Sequence, residues 1–317
     1  MLRIARTALL MSLALPTGAF PALAEPNQKA YYSDSGISGP PYQRIYDALG
    51  QLAKRFPGWA SVTDYGLSVD GRPLRAIRIA SPTARPDRAD RRRAAVLITG
   101  ATHGNEYLNV GDRLPAWILA HDQGDSGVAH FLAGGGILYI VPVVNPDGYE
   151  AHTRGNAHGV DLNRDFDLVP AHERHFHETE SKALAAFVDH ELKAEHAQLK
   201  LAVDYHCCDG SLLFPWAYSE APLPPSDERA HEKVAKLMQH DIDPTYNYGP
   251  TGQVLGYLPR GTSKDYYYAK YGALAFTFEG SYQDEAQRFA KHAIFWDHVL
   301  GQVAAGALRP KKQHSEI

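Results

Sequence analysis

The chain has only two cysteines in 317 residues, Cys207 and Cys208, and they are adjacent. That excludes the multi-bridge framework on which small exported domains rely. Reduced packing residues are expected for the pair, with a strained vicinal bridge as the alternative. Basic excess is also absent. Charged residues make up 21% and the formal net charge is −4, so no basic face offers itself to nucleic acid. The stretch RPDRADRRR at 85–93 is broken by aspartates and followed by an apolar run, as a solvated loop would be. There is no internal repeat and no low-complexity linker. Beyond the first 24 residues, no apolar run is long enough to span a bilayer.

The first residues have the make-up of an export signal. MLRIARTALLMSLALPTGAFPALAEP carries Arg3 and Arg6, an apolar stretch from Ala8 to Leu15, and the small-x-small end Ala22-Leu23-Ala24. Pro16, Gly18 and Pro21 argue against a buried first helix. Cleavage after Ala24 would leave a protein without a membrane anchor, in the periplasm or outside the cell. A short lead at 25–39, one folded unit at 40–308 and a polar tail at 309–317 complete the division, and a monomer is expected.

Apolar spacing predicts a helix over 40–56, with Ile45, Leu49, Leu52 and Phe56 on one face and Pro57-Gly58 as its stop. Val69-Asp70-Gly71-Arg72 reads as a hairpin turn before an alternating, half-exposed strand at 74–80. Continuous apolar runs at 94–100 and 137–144 predict buried strands. A helical pattern covers 107–119, with Pro115 as a blemish. Further helices are expected at 178–192, at 226–240 and from Phe289 to Val303, and strands at 199–206 and 273–279. Alternating strands and helices predict a single α/β domain: a mixed, mostly parallel, twisted sheet flanked by helices.

In such sheets ligands gather at the C-terminal ends of strands. His103 follows the strand ending near Thr99, His206 closes LKLAVDYH, and Glu279 closes ALAFTFE. His103 also has Glu106 three residues on. That spacing alone means little, because His175/Glu178 and His177/Glu180 repeat it. The latter two lie in HERHFHETE, a polar lead-in to a helix with no preceding strand, and are assigned to solvent. Two histidines and one carboxylate with an open position make a catalytic zinc site. Hydrolysis there needs a separate carboxylate as general base and a cationic donor facing the developing oxyanion.

The chain carries HGNE at 103–106, NPDGY at 145–149, GVDLNRDF at 159–166, VDYH at 203–206, LLFPWAY at 212–218 and AFTFEG at 275–280. With these motifs in this order it resembles the zinc metallocarboxypeptidases of the carboxypeptidase A type. The short TRGN and GVDLNR segments resemble the family's bacterial branch, near the murein peptide amidases. The resemblance implies a carboxypeptidase-like fold and one zinc ion held by His103, Glu106 and His206. It makes Glu279 the general base and gives Arg154 the oxyanion. Asn163 and Arg164 would grip the substrate's C-terminal carboxylate, and Asp161 would orient a zinc-binding histidine. An ungapped count back from Glu279 puts Tyr257 at the family's mobile tyrosine. The same count puts Lys264 where the family sets the preference for the leaving residue. A lysine there should attract a carboxylate, on glutamate, aspartate or diaminopimelate.

The expected activity is removal of one C-terminal residue from a peptide. Two other hydrolases fit parts of the pattern. One is a murein peptide amidase or carboxypeptidase acting on D-Glu-diaminopimelate peptides. The other is a related N-acylamino-acid deacylase, against which NPDGY and the export signal both speak. A catalytically dead binding module would have lost a ligand or the base, and here every part is present.

Overall fold

Buried apolar runs set the centre of the molecule. The computed structural model describes residues 32–33, 36–37, 39–84, 92–166, 176–281 and 289–308. The expected signal at 1–24, most of the lead, the bulk of the basic stretch, His175 and the tail at 309–317 lie outside the described residues.

An eight-stranded mixed sheet runs in the order β3-β4-β6-β5-β7-β10-β8-β9. Its centre is formed by β6 (Ile137–Val141), β5 (Arg93–Gly100), β7 (Ala197–Cys207) and β10 (Leu274–Gly280), all mutually parallel. Ala95, Val96, Leu97 and Ile98 of β5 are each at most 1% exposed. Coverage on both faces explains why this strand reads as an unbroken apolar run. On one side, β4 (Pro73–Ala80) joins β6 antiparallel and β3 (Ala60–Leu67) closes the edge as its hairpin partner. On the other side, β8 (Ser211–Phe214) runs antiparallel to β10 and carries β9 (Asn247–Pro250). A separate two-residue hairpin, β1 (Tyr32–Ser33) and β2 (Gly36–Ile37), precedes the domain.

Helix α1 (Tyr42–Arg55) buries Ile45 and Leu49 as its spacing predicts, together with Tyr42 and Tyr46, and packs on β3. Helix α5 (Thr179–Ala194) packs on β3 and β7, and α8 (Ser263–Tyr271) on β7 and β10. Helix α9 (Phe289–Ala304) packs against α3 (Gly127–Ala133) and α6 (Pro225–Asp241). Short helices α2 (Leu114–Ala120), α4 (Pro146–Ala151) and α7 (Thr251–Leu255) connect these layers. Among the described residues, no helix is long and apolar enough to cross a membrane.

Three expectations change. The helix expected over 107–119 is confined to α2, because Pro115 sits in its first turn rather than in its interior. Strand β4 is mostly buried rather than half exposed, since β3 and β6 flank it and helices pack on the sheet. Cys207 and Cys208 form a vicinal disulfide instead of staying reduced. The peptide bond between them is cis, which sets their Cα atoms 3.1 Å apart.

Candidate active site

Parallel neighbours end on the same edge of the sheet, so β5, β7 and β10 deliver their next residues to one place. Gly100 is in register with Tyr205, and His206 with Glu279. The chain leaving β5 turns at Ala101, which has a left-handed φ of 46°, and places His103 and Glu106 over the end of β7.

Among the described residues, His103, Glu106 and His206 form a group whose donor atoms all lie within 4.8 Å of one another. Nδ1 of His103 is 2.8 Å from Glu106 Oε2, Nδ1 of His206 is 3.1 Å from the same oxygen, and the two Nδ1 atoms are 3.0 Å apart. Both imidazoles turn their other nitrogen to a carboxylate. His103 Nε2 lies 2.9 Å from Asp161 Oδ1, and His206 Nε2 lies 3.0 Å from Asp204 Oδ2. With Nε2–H donated outward, both Nδ1 lone pairs point at the Glu106 carboxylate. Converging acceptors without a proton between them suit a divalent cation, and two nitrogens with one oxygen suit zinc. The charges agree. Burial pushes the Glu106 carboxyl up, but His103 and His206 more than offset this and hold it well below the usual range. Burial also disfavours charge on His206, yet Asp204 and Glu106 raise its proton affinity well above the ordinary value. A bound cation answers the same demand.

The surrounding motifs interlock. Gly104 lies against the backbone of Gly148, where an added Cβ would come 2.0 Å from the carbonyl carbon, so the HGNE and NPDGY segments meet glycine to glycine. Asn145 caps α4 by accepting the Gly148 N–H at 2.9 Å, and its amide reaches Thr102 O at 3.5 Å and Arg154 O at 3.4 Å. Arg154 donates to Asp161 Oδ2 through Nε and Nη2, and from Nη1 to Glu106 Oε1, all at 2.9–3.0 Å. Its side chain remains 46% exposed. Asp161 thus holds both His103 and Arg154, and its carboxyl stays well below the usual range because His103, Arg154 and Arg164 outweigh its burial.

Asn163 and Arg164 follow in a single 3-10 turn, Leu162–Arg164. Asn163 Nδ2 is 3.5 Å from His206 Nε2, and Arg164 donates back to the Asn163 carbonyl at 2.8 Å. Glu279 stands beside His206, and burial pushes its carboxyl up from the ordinary value, with Glu106 adding to the shift. Tyr257 lies just after α7 and is 54% exposed. Lys264 is only 2% exposed and its ammonium donates to Thr277 Oγ1 at 3.3 Å. No carboxylate among the described residues comes within ion-pair distance of it. Burial pushes its pKa down, while Asp265 and Glu279 push it back up.

Two features escaped the sequence. Asp204 is fully within the core and bonds Thr99, Thr102, His206 and Ser263. The signal was an aspartate in an apolar strand, two residues before a histidine and hence on the same face. The second is a correction to the solvent assignment of HERHFHETE. His177 is exposed, but Glu178 and Glu180 are buried. Asn156 donates to Glu178 at 2.6 Å and to Glu180 at 3.2 Å, and the Val69 N–H donates to Glu180 at 3.0 Å. They clamp the loop that carries Arg154, so their burial is offset by hydrogen bonds.

Comparison with known proteins agrees with this geometry. Residues 45–296 match the zinc carboxypeptidase family. Human carboxypeptidase A1 is 23% identical over 270 residues, covering 75% of this chain and 61% of the relative. Carboxypeptidase B of Helicoverpa zea is 24% identical over 268 residues, covering 74% and 61%. A protein of Ajellomyces dermatitidis named inactive metallocarboxypeptidase ECM14 is 28% identical over 211 residues, covering 57% of this chain and 35% of the relative. The chain therefore spans about a third to three fifths of the length of these curated relatives. Among solved structures, thrombin-activatable fibrinolysis inhibitor superposes with a TM-score of 0.68 at 20% identity, over 84% of this chain and 73% of that one. A metallo-carboxypeptidase of Burkholderia cenocepacia gives 0.63 at 18% identity, over 86% and 70%. The chain has a carboxypeptidase-like α/β fold and belongs to the zinc carboxypeptidase family.

Proposed function

We propose that the chain is an exported zinc-dependent metallocarboxypeptidase that hydrolyses the last peptide bond of its substrate and prefers a leaving residue bearing a side-chain carboxylate. The observation that carries this reading is the convergence of His103, Glu106 and His206 on one point with Glu279 next to them at the end of the neighbouring strand. One zinc ion held by those three residues would supply Lewis acidity to the scissile carbonyl. The remaining work belongs to the chain. Arg164 and Asn163 hold the substrate's terminal carboxylate, for which the planar guanidinium is suited. Glu279 takes a proton from the attacking water and passes it to the leaving amine. Its buried setting supports this, because a carboxyl whose proton affinity is raised by burial takes up a proton more readily than an ordinary carboxylate. The exposed edge of Arg154 faces the oxyanion as it forms. Tyr257 closes over the bound substrate from its exposed loop.

Lys264 supports the side-chain preference. Among the described residues its ammonium bonds a hydroxyl and no carboxylate, which is costly for a buried charge, and a substrate carboxylate would relieve that cost. Glutamate and aspartate qualify, and so does the second carboxylate of diaminopimelate, which keeps a murein peptide as the second reading. The relatives named inactive raise the alternative of a binding module, but this chain retains all three donors and Glu279.

Purified protein should hydrolyse C-terminally varied peptides or murein fragments, with products read by mass spectrometry. Chelation should stop turnover and zinc should restore it. Metal-loaded protein that cleaves nothing in either panel would overturn the reading.

A further inference from the structure

Asp204, the acceptor behind His206, has further partners that the chemistry above does not use. It is 3% exposed and its two oxygens take bonds from three hydroxyls and one imidazole. Thr99 Oγ1 donates at 2.8 Å to Oδ1, Thr102 Oγ1 at 3.0 Å to either oxygen, and Ser263 Oγ at 3.0 Å to Oδ2, the oxygen that faces His206 Nε2. These donors come from β5 and the loop after it, from β7 and from α8. Ser263 is the first residue of α8, and its N–H donates to Asn163 Oδ1 at 3.0 Å. Lys264 is the next residue. Thr262, which precedes the helix, makes no side-chain cap bond, so the first turn of α8 is fastened from outside itself.

We propose that Asp204 is a positioning residue with two duties. It fixes the ring of His206 so that Nδ1 faces the metal, and through Ser263 it pins the first turn of α8, which carries Lys264 and meets Asn163. Loss of the carboxylate therefore loosens a metal ligand and the leaving-residue pocket together, whereas loss of the Ser263 hydroxyl loosens only the pocket. The link from α8 to substrate preference rests on the function proposed above. The link to the metal and to the helix does not.

The test uses Asp204→Ala, Asp204→Asn and Ser263→Ala in the full chain. Zinc affinity is read by competition with a chelator, and mobility of residues 262–271 by amide hydrogen exchange. Loss of a partner behind a metal-binding histidine typically weakens metal binding about 10- to 100-fold, and Asp204→Ala should fall in that range. Exchange in the first turn of α8 should speed up about tenfold or more in the same protein. Asp204→Asn keeps one acceptor and should fall between it and wild type. Ser263→Ala should speed exchange in α8 while binding zinc within about twofold of wild type. At saturating zinc its KM for glutamate-ended peptides should rise several-fold with little change in kcat. Wild-type zinc affinity in Asp204→Ala, or unchanged α8 exchange in either alanine variant, would overturn the proposal. Should Asp204→Ala fail to fold, Asp204→Asn and Ser263→Ala decide it by the same two readouts. A wild-type protein that cleaves no peptide would end the peptidase reading and leave these two readouts to judge Asp204.

Discussion

Glu279 and His206 are register partners on adjacent parallel strands, so backbone pairing sets the proposed base beside a proposed metal ligand. Strand pairing is stiff, and Phe278 and Tyr205, the residues just before them, are both buried with their rings 4.9 Å apart. Replacing the Glu279 side chain by its amide should leave this frame in place. Glu279→Gln should therefore bind zinc like wild type and lose about 100-fold or more in kcat, the scale of a general base. Stoichiometric zinc content beside undiminished turnover would contradict the assignment.

Lys264 gives a second outcome. Its ammonium is buried beside Thr277, so Lys264→Ala removes a cation from the proposed leaving-residue pocket and leaves an uncharged gap. The ratio of kcat/KM for a glutamate-ended over a phenylalanine-ended peptide should fall about tenfold or more, since a partly desolvated charge pair is worth over 1.4 kcal/mol. The terminal carboxylate is left to Asn163 and Arg164, so the phenylalanine-ended peptide should be little affected. Equal losses for both peptides would show that Lys264 serves the fold and not the side-chain preference.

Strand ends were legible in the sequence because apolar runs break where the chain meets the site: LITG before His103, LAVDY before His206 and LAFTF before Glu279. The α/β class followed from the same runs. What was not legible depends on packing across the sheet. Pro115 is compatible with a helix once that helix begins beside it, and periodicity alone could not tell a start from an interior. Glu178 and Glu180 read as solvated until Asn156 and Val69, which lie far along the chain, supply their partners. The burial of Lys264 was not legible either, because it depends on α8 packing against β7 and β10. Asp204 was hidden because its role needs three partners from distant positions, Thr99, Thr102 and Ser263.

Gly104 supplies a structural test. Its contact with Gly148 leaves no room for a methyl group, because the obstacle is backbone on both sides. Gly104→Ala must push the His103 loop away from α4 and should destabilise the fold by about 3 kcal/mol, the upper end of ordinary overpacking. It should also weaken zinc binding, since His103 precedes it directly. Denaturant unfolding and chelator competition read the two effects. A variant with wild-type stability would mean the two loops do not meet as described.

His231 provides a pH dependence that does not involve the site. It is fully buried on α6, with Nδ1 2.7 Å from the Asp227 carbonyl and Nε2 accepting the Ala275 N–H at 3.3 Å. Burial lowers its pKa from 6.5 to about 4, only partly opposed by Asp227. The folded-state value lies below the unfolded one. Between those values the unfolded chain therefore takes up a proton that the native chain refuses. The stabilisation is complete above about pH 6.5 and is lost as pH falls toward 4, amounting to about 3 kcal/mol in all. His231→Gln can offer the same donor and acceptor without titrating. Between pH 7.5 and 4, wild type should lose about 3 kcal/mol more unfolding free energy than this variant. Both should be measured by denaturant titration with excess chelator, which removes the metal's own pH dependence. Parallel stability profiles for the two proteins would mean that His231 is protonated in the folded state as readily as in the unfolded chain.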